Sequence, residues 1–293
     1  MLKTLVVLVA ISVGAALLWR ANSLGAGELA THPSLDRPSA QAAVRHLRTA
    51  QRSSDMETLT ARIADAVDAL GETHFATAML SSAEAEAQAD IDLLRENIGR
   101  VIESLTFRPW VEASLPEGFP EFTPVHRIEV KTLPNYRMAR ASMPSTQRRG
   151  ENGAFWKLFS HIKRNDIAMT APVQMDYTSS GEDAEVASMA FLYGSRRIGE
   201  PGKDAADEEV ETVDIPTQDV LTIGVRGRMS ADSLKRGHQA LLEWLNDQDD
   251  YRPSGPLRRL GYNSPFISAD RAFFELQIPV EKVELQKLAE PQS

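Results

Sequence analysis

The 293-residue sequence contains no cysteine. Disulfides, thiolate metal sites and cysteine nucleophiles are thereby excluded. Common catalytic signatures are also missing: no G-x-S-x-G, no H-E-x-x-H and no phosphate-binding loop occurs. Positive charge is in deficit, with 32 Lys and Arg against 41 Asp and Glu and a net charge of −9. An acidic surface is repelled by a nucleic-acid backbone, so no nucleic-acid partner is expected.

What is present is enough apolar material for a real core, 42% of the chain, in one large domain or two smaller ones. Residues 1–23 form a signal or membrane anchor: Lys3 precedes an uncharged apolar run over residues 5–19. The run is short for a spanning helix, which needs about 20 apolar residues. The small residues Ala21, Asn22 and Ser23 suit cleavage, whereas Trp19 and Arg20 suit an uncleaved anchor at the membrane interface. Either way the bulk of the chain is expected outside the cytoplasm, exported or membrane-anchored through residues 1–20.

Residues 24–38 read as a linker, and residues 39–107 as helices. The periodicity predicts helices over 40–52, 56–70 and 73–105, with Gly71 as the stop after the second. Ala87, Ile91, Leu94, Ile98, Val101 and Leu105 step as a heptad seam. Such a seam serves either a helical hairpin or self-association. Pro109, Pro116, Pro120 and Pro124 mark a Pro-rich linker over 108–124. A strand-rich domain follows over 125–281, then a tail over 282–293.

The domain is organised around residues 165–175, NDIAMTAPVQM. Ile167, Met169, Ala171, Val173 and Met175 alternate with Ala168, Thr170, Pro172 and Gln174, the period of a half-buried strand. Pro172 makes it an edge or bulged strand. A short helix over 154–164 precedes it, with Phe155, Leu158, Phe159 and Ile162 on one stripe. His126, Ile128 and Val130 share one strand face, and residues 133–135 turn the chain back. Residues 195–209 read as a solvated loop. Beyond it the order strand-strand-helix-strand-strand recurs, the helix capped by Ser230.

The helix-into-strand segment resembles the signature of the SOUL family of haem-binding proteins. The matching residues are Phe155, Leu158, Ile162, Asn165, Ile167, Met169, Thr170, Pro172 and Val173; His161 stands where the family usually has tyrosine. Residues 128–143 resemble that family's opening hairpin, and GYNSPF with FFELQIPV its C-terminal region. The resemblance implies an α+β fold: an antiparallel sheet curved into a distorted barrel, with two packed helices and a ligand cleft between two similar halves. It also implies haem or a related tetrapyrrole as ligand.

A tetrapyrrole is an apolar plate with two carboxylates, so it needs an apolar slot with basic groups at its rim. Candidate slot residues are Met138, Met169, Met175, Met189, Met229 and Phe191, although methionine at strand spacing more often serves as plain core. Candidate rim cations are Arg137, Arg140, Arg148, Arg149, Lys163 and Arg164. His161, off the apolar stripe and expected at the surface, and His238, on the inner face of the second helix, are candidate iron ligands. No structural metal is expected. Glu275 alternates away from the apolar face of its strand. The expected function is a non-enzymatic tetrapyrrole-binding module. The alternatives are binding or hydrolysis of another apolar molecule in the same cleft, or a scaffold acting through the helical region.

Overall fold

The computed structural model describes residues 28–143, 150–178 and 185–283. The signal or anchor segment therefore lies outside the described residues. Among those described, no helix is long and apolar enough to cross a membrane.

Strand β1 (Glu28–Leu29) opens the described chain and is followed by a four-helix layer: α1 (Pro38–Gln51), α2 (Met56–Leu70), α3 (Phe75–Ala87) and α4 (Ile91–Thr106). Asp55 caps α2 by accepting from the Thr58 N–H at 2.7 Å, and Gly71 ends it at φ +81°. The single helix expected over 73–105 is two helices. Gln88 turns the chain at φ +50°, and the Asp90 carboxylate accepts from the backbone N–H groups of Asp92 and Leu93, both at 3.0 Å. A carboxylate that satisfies two orphan donors starts a new helix in place of continuing the old one.

The heptad seam is consumed within the chain. Leu94, Ile98, Val101 and Leu105 are buried in one cluster with Leu47 of α1 and with Phe122, Leu260 and Phe273 of the sheet domain. The helices thus cap the sheet. Arginines seal the joint: Arg226 meets Glu103 at 2.7 Å, and Arg127 stacks over Phe75 at 4.5 Å.

The segment expected as an open linker is packed. Strand β2 (Trp110–Val111) pairs with β1, and Phe122 and Val125 are buried. The chain then crosses β9 (Gln218–Arg226) so closely that a Cβ on Gly224 would lie 2.1 Å from the Thr123 carbonyl oxygen. His126, expected on an apolar strand face, is instead exposed at φ +64° and pairs with Glu103 at 2.6 Å.

Strands β3 (Ile128–Leu133) and β4 (Tyr136–Ser142) do not form the expected hairpin. β3 pairs with β9, and β4 pairs with β8 (Val210–Ile215). The register runs unbroken from Ile128↔Ile223 to Ala141↔Val210. Pro134 and Pro216 interrupt the two strands of this ribbon near one level. Each repeat therefore lends its first strand to the other.

The expected element order holds. The first repeat is β3, β4, α5 (Gly150–Arg164), β5 (Val173–Tyr177) and β6 (Val186–Leu192). The short β7 (Gly202–Lys203) precedes the second repeat: β8, β9, α6 (Ala231–Asn246), β11 (Arg258–Gly261) and β12 (Phe273–Lys282), with β10 (Tyr251–Pro253) paired to β12. Ser230 caps α6 as expected. The ten-stranded sheet is antiparallel and runs β3-β9-β12-β11-β5-β6-β4-β8-β7, so its ladders do not close into a barrel. The two halves meet where β5 pairs with β11.

Strand β5 starts only at Val173. Upstream the backbone bonds elsewhere: Ile167 N–H donates to Ile162 O at 2.8 Å and Ala171 N–H to Ser114 O at 3.1 Å. The alternation at Ile167, Met169 and Ala171 does mark buried residues, but Thr170 between them is buried too, its hydroxyl donating to Leu192 O at 2.6 Å.

Candidate functional site

Both helices pack on one side of the sheet. α5 covers the odd-numbered residues Ala139, Ala141, Met175, Met189 and Phe191; α6 covers Leu221, Ile223, Leu276 and Ile278. Strand alternation sends the residues between them to the opposite, inner side. There the register aligns a polar row across five strands: Ser188, Asp176, Arg258, Gln277 and Thr222. On a sheet with a wet face such residues meet solvent. Here Arg258 and Gln277 are 5% and 1% exposed.

A cavity of ≈ 460 Å³ opens on this inner side, with Tyr136, Met138 and Arg140 on one flank and Asp176, Arg258 and Pro279 on the other. That volume falls in the roughly 300–1,000 Å³ range of small-molecule sites. Phe119 packs edge-on against the Tyr136 ring, centroids 5.1 Å apart.

A hydrogen-bonded network holds the polar groups. The Tyr136 hydroxyl donates to Gln174 Oε1 at 3.1 Å, and Gln174 Nε2 donates to Asp176 Oδ1 at 2.8 Å. The Ser188 hydroxyl donates to the other Asp176 oxygen at 2.8 Å. Burial raises the Tyr136 pKa, opposed by the Arg258 charge, so the phenol stays protonated. Arg258 Nε donates to Gln277 Oε1 at 3.0 Å, and Nη1 reaches Gln218 Oε1 at 3.5 Å. Its Nη2 is buried and makes no hydrogen bond among the described residues.

Next to the cavity, Glu275 is 1% exposed. It accepts from the Thr123 N–H at 2.6 Å, Lys131 Nζ at 3.0 Å, Gln277 Nε2 at 2.9 Å and the Thr222 hydroxyl at 3.4 Å. With four donors its carboxylate is saturated and pins the crossing segment to the sheet.

The SOUL heme-binding protein family model matches residues 119–276. The chain belongs to the SOUL family. Among solved structures, this SOUL chain is similar to the EcmrR C-terminal domain at TM-score 0.43 and 18% identity, covering 54% of this chain and 98% of that one. It is also similar to a hydrolase from Listeria innocua at TM-score 0.38 and 12% identity, covering 55% and 94%. A putative transcription regulation protein from Staphylococcus aureus scores 0.33 at 9% identity, covering 53% and 98%. No curated protein matches the chain.

Of the site residues expected from the sequence of this SOUL chain, Met138 and Arg140 line the cavity. Met169, Met175, Met189 and Phe191 fill the core beneath α5. Arg148 and Arg149 lie outside the described residues. Met229 is exposed. Arg137 is turned to the helix side, where it pairs with Asp214 at 2.7 Å. Lys163 is exposed, and Arg164 binds Asp204 at 2.8 Å.

His161 is not at the surface: it is 5% exposed. One ring nitrogen bonds the Tyr193 hydroxyl at 2.6 Å and the other the Asp204 carboxylate. The loop expected to be solvated thus plants Asp204 beneath α5. Its pKa falls to about 2, because His161 and Arg164 outweigh the burial that opposes them. With both nitrogens engaged, the ring has no free position for iron. His238 is half-buried on α6, its Nε2 without a hydrogen bond, and burial lowers its pKa. Neither histidine lines the cavity, and no group of three or more His, Asp or Glu among the described residues could hold a metal.

The cavity fits one end of a tetrapyrrole better than its centre. Arg258 suits a carboxylate, Arg140 is paired with Glu211 at 3.2 Å, and Met138, Ile215 and Pro279 offer apolar surface, but among the described residues no imidazole lines the cavity. Arg258 itself escaped the sequence reading. The available signal was an arginine pair set between Leu257 and Leu260 in a predicted strand, which must send one guanidinium to each side of the sheet.

Proposed function

We propose that this chain is a non-enzymatic binding module that takes haem or a related tetrapyrrole in the cavity between the two halves of its sheet. The cavity carries the reading: it sits at the seam of the repeats and combines apolar walls with inward guanidinium groups. A bound tetrapyrrole supplies the flat apolar plate and its two carboxylates. Met138 offers a polarisable apolar contact, and Arg258 a guanidinium in the cavity lining. The neighbouring carboxylate most suited by burial to act as a base, Glu275, is saturated by donors, which favours binding over catalysis.

The test is a haemin titration of the full chain followed at the Soret band. A saturable one-to-one shift that Met138→Lys abolishes and that His161→Ala and His238→Ala leave intact is the expected outcome. An unsaturable response, equal to that of an unrelated acidic protein, refutes the proposal. The apolar run at residues 5–19 further supports a chain held at a membrane, checked by whether removing residues 1–23 releases it into the soluble fraction.

A further inference from the structure

Arg258 and Asp176 are directly opposed in the β5–β11 ladder. Opposite charges so placed ordinarily pair, their Cβ atoms lying about 5 Å apart. These two do not. Asp176 spends its oxygens on Gln174 and Ser188. Arg258 turns the other way, to Gln277 and Gln218; it lines the cavity, and its Nη2 is buried with no acceptor among the described residues. The side chain is 5% exposed. A guanidinium held in a low-dielectric site with an unused donor is costly, and an arriving oxyanion removes that cost. Its two glutamine partners fix the plane of the fork in advance, which reduces the ordering needed on binding.

We propose that Arg258 forms a buried oxyanion subsite that seats the acid group of an amphipathic carboxylic acid, the apolar body lying against Met138, Ile215 and Pro279. This deepens the proposed function and rests on the same cavity being the ligand site. Charge selects a carboxylate over a phosphate dianion. Asp176 stands one strand away and repels a second negative charge. A carboxylate on Nη2 forms a charge-assisted hydrogen bond, stronger than a neutral one.

The experiment compares protoporphyrin IX with its dimethyl ester on the full chain, followed by porphyrin fluorescence. The free acid is expected to bind about tenfold or more tighter than the ester. Arg258→Gln should erase that difference by weakening the acid alone, Arg258→Lys should restore part of it, and inorganic phosphate should not compete. Equal binding of acid and ester by the unmodified chain overturns the proposal without recourse to any variant. So does an Arg258→Gln chain that still prefers the acid. If the unmodified chain binds neither porphyrin, the tetrapyrrole reading fails, and anilinonaphthalene sulfonate, an apolar monoanion, decides the subsite. Saturable binding weakened about tenfold in Arg258→Gln supports it. Equal binding by both chains, or none, overturns it.

Discussion

Acid should loosen the joint between helices and sheet before it reaches the ion-paired carboxylates of Glu103 and Asp204. His32 is 8% exposed, with its ring edge-on to Phe122 at 5.1 Å and its Nδ1 2.9 Å from the Ser34 hydroxyl. Burial, reinforced by Arg127, Lys131 and Arg108, lowers its pKa from 6.5 to about 4. The folded state thus holds the neutral ring, while the unfolded chain protonates as the pH falls below 6.5. Between pH 6.5 and 4 the unfolded state binds the extra proton, so stability falls with falling pH. A shift of that size is worth about 3 kcal/mol at 1.36 kcal/mol per unit, fully present above pH 6.5 and lost by pH 4. His74, whose pKa is lowered by burial, acts in the same direction. Glu103 and Asp204, both lowered to about 2, surrender their contributions only below their ordinary values of 4.5 and 3.8. The windows therefore separate. Urea unfolding of the parent and of His32→Leu across pH 7 to 3 provides the assay. The parent should lose about 3 kcal/mol more than the variant by pH 4, and the two curves should run parallel below that. Equal slopes between pH 6.5 and 4 would refute a neutral, buried His32.

Two further outcomes follow from the packing. Gly224→Ala should cost about 3 kcal/mol or more in chemical denaturation, because its Cβ would meet backbone at 2.1 Å and backbone does not yield as a side chain does; a loss below about 0.5 kcal/mol would show that the crossing segment is free to move. Asp204→Asn should speed amide hydrogen exchange across residues 195–209 while leaving exchange in α1 to α4 unchanged, since Asp204 ties that loop to His161 and Arg164; uniform protection in both proteins would contradict a pinned loop.

Much of the domain was legible residue by residue. Met56–Leu70 and Val210–Ile215 run as the patterns predict, and the strand-strand-helix-strand-strand order recurs as expected. The family stretch at Phe155 to Val173 marked the right fold although its strand half is mostly not strand, because alternation reports burial and not hydrogen bonding. Periodicity went astray where a capping side chain intervened, at Asp90, and where proline interrupts a ribbon that a local view takes for a hairpin, at Pro134.

The candidate site divides the same way. Alternation placed Met169 with Met175 and Met189 with Phe191, each pair on one face of its own segment, and that much is local. Which face carries the ligand site is not. A period of two cannot say that both helices pack on the methionine side, or that the polar side holds a cavity when the two repeats exchange their first strands. The amino-acid sequence alone determined the repeat, its helices and its family. Long-range register decided that Ser188, Asp176 and Arg258, ordinary on a wet sheet, came together in the lining of a cavity, because pairing between strands some 80 residues apart depends on contacts that no local pattern contains.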